Sequence, residues 1–310
     1  MNDPKTGGHP GRSWLFVPAS DGEKVRKAPG RGADVLLLDL EDGVAEGAKD
    51  RARAIVADVL AAPVPVPTYV RINHPGRWLP EDIEAALSPH LAGFMLPKAE
   101  SEDDVRSFLD LLVRAASRRG MEGSRFAILP LVESAAGVEN ARAIAAASPQ
   151  VVRLALGAVD LALDLGLEAL DSAILQHARA RLVLASRAAG VHPPVDTVDP
   201  DFQDLDRFRE ACATARRMGF AGKLVIHPRQ VSIANETFSP TPDEVARARE
   251  LVAVYERAAA EGTGAVGVDG RMVDRPMYEW ARRVLTMVGD GAVEAGGSAD
   301  APPGGGGGGR

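Results

Sequence analysis

Phe126-Ala-Ile-Leu-Pro-Leu-Val-Glu133 and Val151-Val-Arg-Leu-Ala-Leu-Gly-Ala-Val-Asp160 are two apolar runs, each closed by a single carboxylate. Both read as buried strands of a parallel sheet, which is covered on its two faces and lacks strict polar alternation. Parallel strands deliver their carboxyl ends to one rim, so Glu133 and Asp160 are expected to approach each other there. Two facing carboxylates repel unless a proton or a cation lies between them. Oxygen donors alone suit a hard ion such as Mg2+, which takes one or two carboxylates and keeps positions for water and substrate oxygens.

Outward from this pair, apolar runs at residues 13–19, 35–40, 68–72, 93–96 and 222–226 read as further strands, with a weaker one around Val195 and Asp196. Stretches of helical spacing separate most of them, such as residues 49–61, 205–218 and the segment opened by Ser101-Glu-Asp-Asp104, whose cap and acidic first turn suit a helix start. Eight strands alternating with helices, without a long structureless insertion, fit an α/β TIM (β/α)8 barrel better than an open doubly wound sheet. Glu41, Arg71, Lys98, Glu133, Asp160, Asp196 and His227 all fall at carboxyl ends of these strands, the face on which such barrels carry their sites.

The chain continues past the eighth unit. Thr241-Pro-Asp-Glu244 combines a cap, a first-turn proline and a capping-box glutamate, so a helix is expected to about Glu261. Asp269-Gly270 between short apolar runs signals a hairpin, and Arg275-Pro276 opens a last helix to about Val288. A hairpin and helix added to a complete barrel read as a lid over a site. The expected division is a disordered amino terminus at 1–11, the barrel at 12–240, the helix, hairpin and lid helix at 241–290, and a disordered Gly-rich tail at 291–310.

Composition narrows the function. With 310 residues, 45% hydrophobic and 25% charged, the chain can bury a large core. A net charge of -7 argues against nucleic acid as a partner. No apolar run reaches the roughly 18 residues of a membrane span, and the first residues lack the apolar stretch of a signal peptide. Cys212 is the single cysteine, which excludes an intrachain disulfide and a cysteine-based zinc site and makes the cytoplasm the expected location. Gly219-Phe-Ala-Gly-Lys223 is too short for a phosphate loop, and Leu224 stands where Ser or Thr is needed.

Arg12-Ser-Trp-Leu-Phe-Val-Pro-Ala19, Leu38-Asp-Leu-Glu-Asp-Gly-Val44, Val70-Arg-Ile-Asn73, Leu96-Pro-Lys98, Val132-Glu-Ser-Ala-Ala-Gly137, Leu156-Gly-Ala-Val-Asp-Leu-Ala162, Gly219 through Pro228 and Gly270-Arg-Met-Val-Asp-Arg-Pro276 occur in that order. Together they resemble the citrate lyase beta subunit-like group of the HpcH/HpaI aldolase family, which includes malyl-CoA and citramalyl-CoA lyases. The resemblance implies a Mg2+-dependent enzyme that makes or breaks the carbon–carbon bond of a 3-hydroxyacyl thioester, with an acyl-CoA and a 2-oxo acid as partners. It implies that Glu133 and Asp160 are metal ligands and that Arg71 holds the substrate carboxylate and oxyanion. Glu41, Lys98 and Phe16 are expected around the substrate, Phe16 and the basic residues after it on the coenzyme A side. Asp274 matches an acid/base that the group supplies from a neighbouring subunit of a trimer or hexamer. Two other activities stay open: a citryl-thioester lyase subunit of a multiprotein complex, and an aldolase joining free pyruvate to an aldehyde.

Each residue also has a plainer reading. Glu133 and Asp160 suit helix starts, Arg71 a surface ion pair, Lys98 an ion pair with Glu41 or Asp42, His227 a turn, and Asp274 a helix cap.

Overall fold

The computed structural model describes residues 11–74, 76–168, 171–268 and 271–289. Residues 1–10, the tail and the Asp269-Gly270 turn, on all of which expectations were placed, lie outside the described residues. The chain forms two compact units, one ending at Ser239 and the other beginning at Pro240.

The first unit is a closed barrel of eight parallel strands in sequence order. They are β1 (Ser13–Pro18), β2 (Val35–Asp39), β3 (Thr68–Arg71), β4 (Gly93–Leu96), β5 (Ala127–Val132), β6 (Ala155–Leu156), β7 (Val195–Asp196) and β8 (Gly222–Val225), and β8 pairs back onto β1. The helices are α1 (Gly22–Lys27), α2 (Lys49–Val59), α3 (Leu79–Ala86), α4 (Glu102–Arg118), α5 (Ala135–Glu139), α6 (Ala141–Ala146), α7 (Ala158–Asp164), α8 (Ala173–Ala189), α9 (Leu205–Met218) and α10 (Pro228–Phe238). Ser101 caps α4 through a reciprocal capping box with Asp104, as the acidic first turn foretells.

Strand side chains alternate between two clusters. Trp14, Val35, Leu37, Tyr69, Met95, Leu129, Ala155, Val195 and Leu224 fill the barrel interior. Leu15, Leu36, Leu38, Val70, Phe94 and Ile128 face the helices in the larger cluster. The period of two then decides the rim: Asp39 follows Val35 and Leu37 onto the inner face, and Arg71 follows Tyr69. Trp14 and Tyr69 meet edge to face at 5.1 Å, one layer below Phe16 and Arg71 on the same strands.

The run at 151–160 is not one strand. Val151 makes only an isolated bridge to Ile128, β6 has two residues, and Gly157 precedes α7, whose third residue is Asp160.

The second unit has a core of its own. Ala248 and Leu251 of α11 (Pro242–Ala260) cluster with Val273 of a two-stranded antiparallel hairpin, β9 (Val266–Val268) and β10 (Arg271–Val273), and with Ala281, Val284 and Leu285 of α12 (Arg275–Met287). Tyr255 and Tyr278 stack at 4.6 Å between α11 and α12. Thr241 and Glu244 form the expected capping box.

Candidate active site

Asp39 ends β2, Arg71 ends β3, and the register sets them side by side. Arg71 donates from Nε and Nη2 to the two Asp39 oxygens at 2.8 Å each, and its Nη1 lies 2.9 Å from Glu41 Oε2. Asp39 also accepts the backbone N–H groups of Glu41 and Gly43, both at 2.9 Å, so it is anchored before it orients the guanidinium. The Phe16 ring lies 4.8 Å from the Arg71 guanidinium carbon, a cation–π contact. Burial opposes the Arg71 charge, but Asp39, Glu41 and Asp42 outweigh it and hold its pKa above the ordinary value.

Lys98 follows β4 and is the only non-glycine described residue with positive φ, at 52°. That turn aims its backbone N–H at Glu133 Oε1, 2.7 Å away, while its Nζ sits 3.0 Å from Glu41 Oε1. Glu133, just past β5, is 5% exposed. Burial, then Glu41 and Asp160, push its pKa up to about 8 against the Lys98 N–H and Arg71. Burial likewise raises Glu41, against Arg71 and Lys98. A Cβ on Gly157 would stand 2.6 Å from Glu133 Cβ and 2.6 Å from Oε2, so glycine there leaves the Glu133 side chain its space.

Arg71, Glu41, Lys98 and Glu133 are thus linked by direct contacts, Phe16 joins through Arg71, and Asp160 acts on Glu133 by charge from α7. Asp274 belongs to the second unit and caps α12, accepting from Met277 N at 3.3 Å. Asp196 does not join the group. Its side chain meets Lys223 Nζ and, at 2.9 Å, Arg179 Nε on α8. His227 Nδ1 accepts from Arg229 N at 3.2 Å at the start of α10, and its ring stacks on Phe202 at 4.9 Å. The residue missed in the sequence is Asp39, the one polar position of its strand.

Among the described residues no three His, Cys, Asp or Glu side chains converge as a complete metal cage. Mg2+ does not need one, because it keeps waters and takes substrate oxygens beside one or two carboxylates. The buried excess of negative charge around Glu133 is what a hard cation would relieve, so Glu133 and Asp160 fit such an ion.

Residues 12–228 match the family described as HpcH/HpaI aldolase/citrate lyase. Citrate lyase subunit beta of Escherichia coli (strain K12) is 36% identical over 279 residues, covering 89% of this chain and 92% of that protein. Mitochondrial citramalyl-CoA lyase of Mus musculus is 34% identical over 292 residues, covering 90% and 86%. The crystal structure of protein CitE from Mycobacterium tuberculosis in complex with magnesium, acetoacetate and coenzyme A is 33% identical, with a TM-score of 0.72 over 90% of this chain and 97% of that one. With a matching family signature over most of the barrel and relatives similar across nearly their whole length, the chain belongs to the HpcH/HpaI aldolase/citrate lyase family.

Proposed function

We propose that this chain cleaves a 3-hydroxyacyl-CoA thioester such as malyl-CoA or citramalyl-CoA into acetyl-CoA and a 2-oxo acid, or forms it by Claisen-type condensation. The family makes the chain a carbon–carbon lyase; the substrate is the proposal. The observation that carries it is the rim cluster, in which an anchored arginine stands beside a pair of carboxylates with excess negative charge.

When bound by Glu133 and Asp160, Mg2+ would supply Lewis acidity toward the oxygens of the 2-oxo acid. Arg71 spends Nε and one N–H of Nη2 on Asp39 and sets Nη1 against Glu41 as an ion pair, which leaves a donor on each terminal nitrogen for substrate. Those two donors would hold the substrate carboxylate and the oxygen on which charge develops. Lys98 would keep Glu41 neutralised at the rim. Asp274 would exchange the proton at the enolate carbon, supplied by a neighbouring copy in a homotrimer or hexamer. Phe16 would lie on the coenzyme A side.

The similarity to citrate lyase subunit beta favours a second reading, a subunit that works on a carrier-bound citryl thioester inside a larger complex. Purified protein alone separates the two: turnover of free CoA thioesters supports the first, and activity only after partner subunits are added supports the second. Asp274→Asn tests the division of roles. It should retain Mg2+ binding, because asparagine caps a helix as well as aspartate, while turnover is lost; loss of Mg2+ binding in that variant would refute the role given to Asp274.

A further inference from the structure

The strand exit that carries Glu41 is gripped from outside the barrel. β2 and β3 pair only as far as Asp39 and Arg71, with a last bond from Leu40 N to Arg71 O at 2.9 Å. Beyond that rung, side chains take over from the ladder. Lys49, the first residue of α2, donates its Nζ to Leu40 O at 2.6 Å, to Glu41 O at 2.7 Å and to Asn73 Oδ1 at 2.7 Å. An ammonium has three donors, and these three contacts use them all.

The grip is itself braced. Asn73 Nδ2 donates to Leu40 O at 2.9 Å and to Asp82 Oδ2 at 2.7 Å, and Asn73 N donates to the same Asp82 oxygen at 2.8 Å. Arg53 Nη1 meets Asp82 Oδ1 at 3.0 Å. Asp82 is fully buried, and Lys49 is 7% exposed.

Nothing about filling space requires a charge here. A buried ammonium is costly to desolvate, and all three hydrogen-bond acceptors of Lys49 are neutral. Methylenes alone would pack the site without that cost. The ammonium adds direction, because its two carbonyl acceptors belong to the peptide groups on either side of the Glu41 Cα. The Leu40–Glu41 peptide is held at both ends, its oxygen by Lys49 and Asn73 and its N–H by Asp39 Oδ1. With both flanking peptides pinned, the Glu41 side chain has one direction in which to leave the backbone, toward Arg71 and Lys98.

We propose that Lys49 is a positioning residue for the lyase site: it sets the direction of Glu41 and, through Glu41, the place of the Lys98 cation and of the carboxylate beside Arg71, whose guanidinium Asp39 orients. The assignment rests on the lyase reading above. Lys49 would act only through Glu41, because its three donors are committed to Leu40 O, Glu41 O and Asn73 Oδ1. A misplacement of about 1 Å in such a support costs on the order of a hundredfold in rate, so the variant should lose kcat far more than it raises KM.

The test compares wild type with Lys49→Met in full-length, Mg2+-saturated enzyme, by kcat and KM for malyl-CoA and citramalyl-CoA and by amide hydrogen exchange. The expected result is a loss of kcat on the order of a hundredfold, little change in KM, and faster exchange confined to residues 40–44 while β5 stays protected. Lys49→Gln, which retains two donors, covers the case in which Lys49→Met does not fold, and should lose less kcat with faster exchange in the same segment. A folded variant with wild-type kcat, or with exchange at residues 40–44 unchanged, would overturn the proposal. If wild type turned over no thioester, the lyase reading would fail by itself, and the exchange experiment would still decide what Lys49 does to the Glu41 segment.

Discussion

Asp39 and Arg71 occupy the last paired rung between β2 and β3 and are joined by two parallel hydrogen bonds of 2.8 Å. The pair is almost wholly buried, with side-chain exposures of 4% and 11%. Removing Asp39 leaves Arg71 its ion pair with Glu41 but takes away two charge-assisted hydrogen bonds, a loss of roughly 1.5–3 kcal/mol. Asp39→Ala is therefore expected to lower the free energy of urea unfolding by about that amount and to abolish turnover. Arg71→Lys keeps the charge but not the planar fork. It should retain more stability than Asp39→Ala and still lose most of kcat/KM; an active Arg71→Lys enzyme would show that the bidentate geometry is dispensable.

The second prediction concerns pH. Glu133 titrates near 4.5 when unfolded and is raised to about 8 when folded. Between those values the native state binds more protons than the unfolded state, so stability falls as pH rises. The contribution is complete below about 4.5 and lost by about 8. Urea midpoints measured in chelator from acid toward pH 8 should therefore decline more steeply for wild type than for Glu133→Gln. Added Mg2+ should flatten the wild-type curve, since a cation at the carboxylates offsets the repulsion that raises the pKa. Parallel curves for the two proteins would remove this account of Glu133.

Gly157 gives a steric test of the same carboxylate. Its φ of -103° suits any L residue, so alanine there brings a methyl group without backbone strain. That methyl would arrive 2.6 Å from Glu133 Cβ and 2.6 Å from Oε2 and force the side chain aside. Gly157→Ala should weaken Mg2+ binding by about 10–100-fold, the range seen when residues supporting metal ligands are altered, with a native circular dichroism spectrum. Calorimetric titration with Mg2+ checks it, and wild-type affinity would count against Glu133 as a ligand.

Much of this arrangement can be read in the chain. The barrel follows from eight apolar runs, and β4 and β7 lie where the runs place them. The overlong sixth strand has a physical cause: residues 151–162 are apolar nearly throughout, and such a run does not distinguish a buried strand from a buried helix. Glycine at 157 breaks the run, and the chain turns into α7 with Asp160 on its first turn. Asp39 is legible only once parity is applied. It shares the inner face with Val35 and Leu37, whereas a strand covered on both faces hides that distinction in its composition. The Lys49 brace is not legible in the same way. A lysine at a helix start looks like a solvated charge, and only the folded position of Leu40, Glu41 and Asn73 makes it a buried clamp.

The most direct test of the central claim is a product assay on purified full-length protein with malyl-CoA, citramalyl-CoA and citryl-CoA, each with Mg2+ and with chelator. Release of acetyl-CoA and the matching 2-oxo acid from malyl-CoA or citramalyl-CoA is expected with Mg2+, absent with chelator, and absent in Glu133→Ala and Asp160→Ala. Formation of neither product from any of the three thioesters, or equal turnover in chelator, would contradict a Mg2+-dependent CoA-thioester lyase.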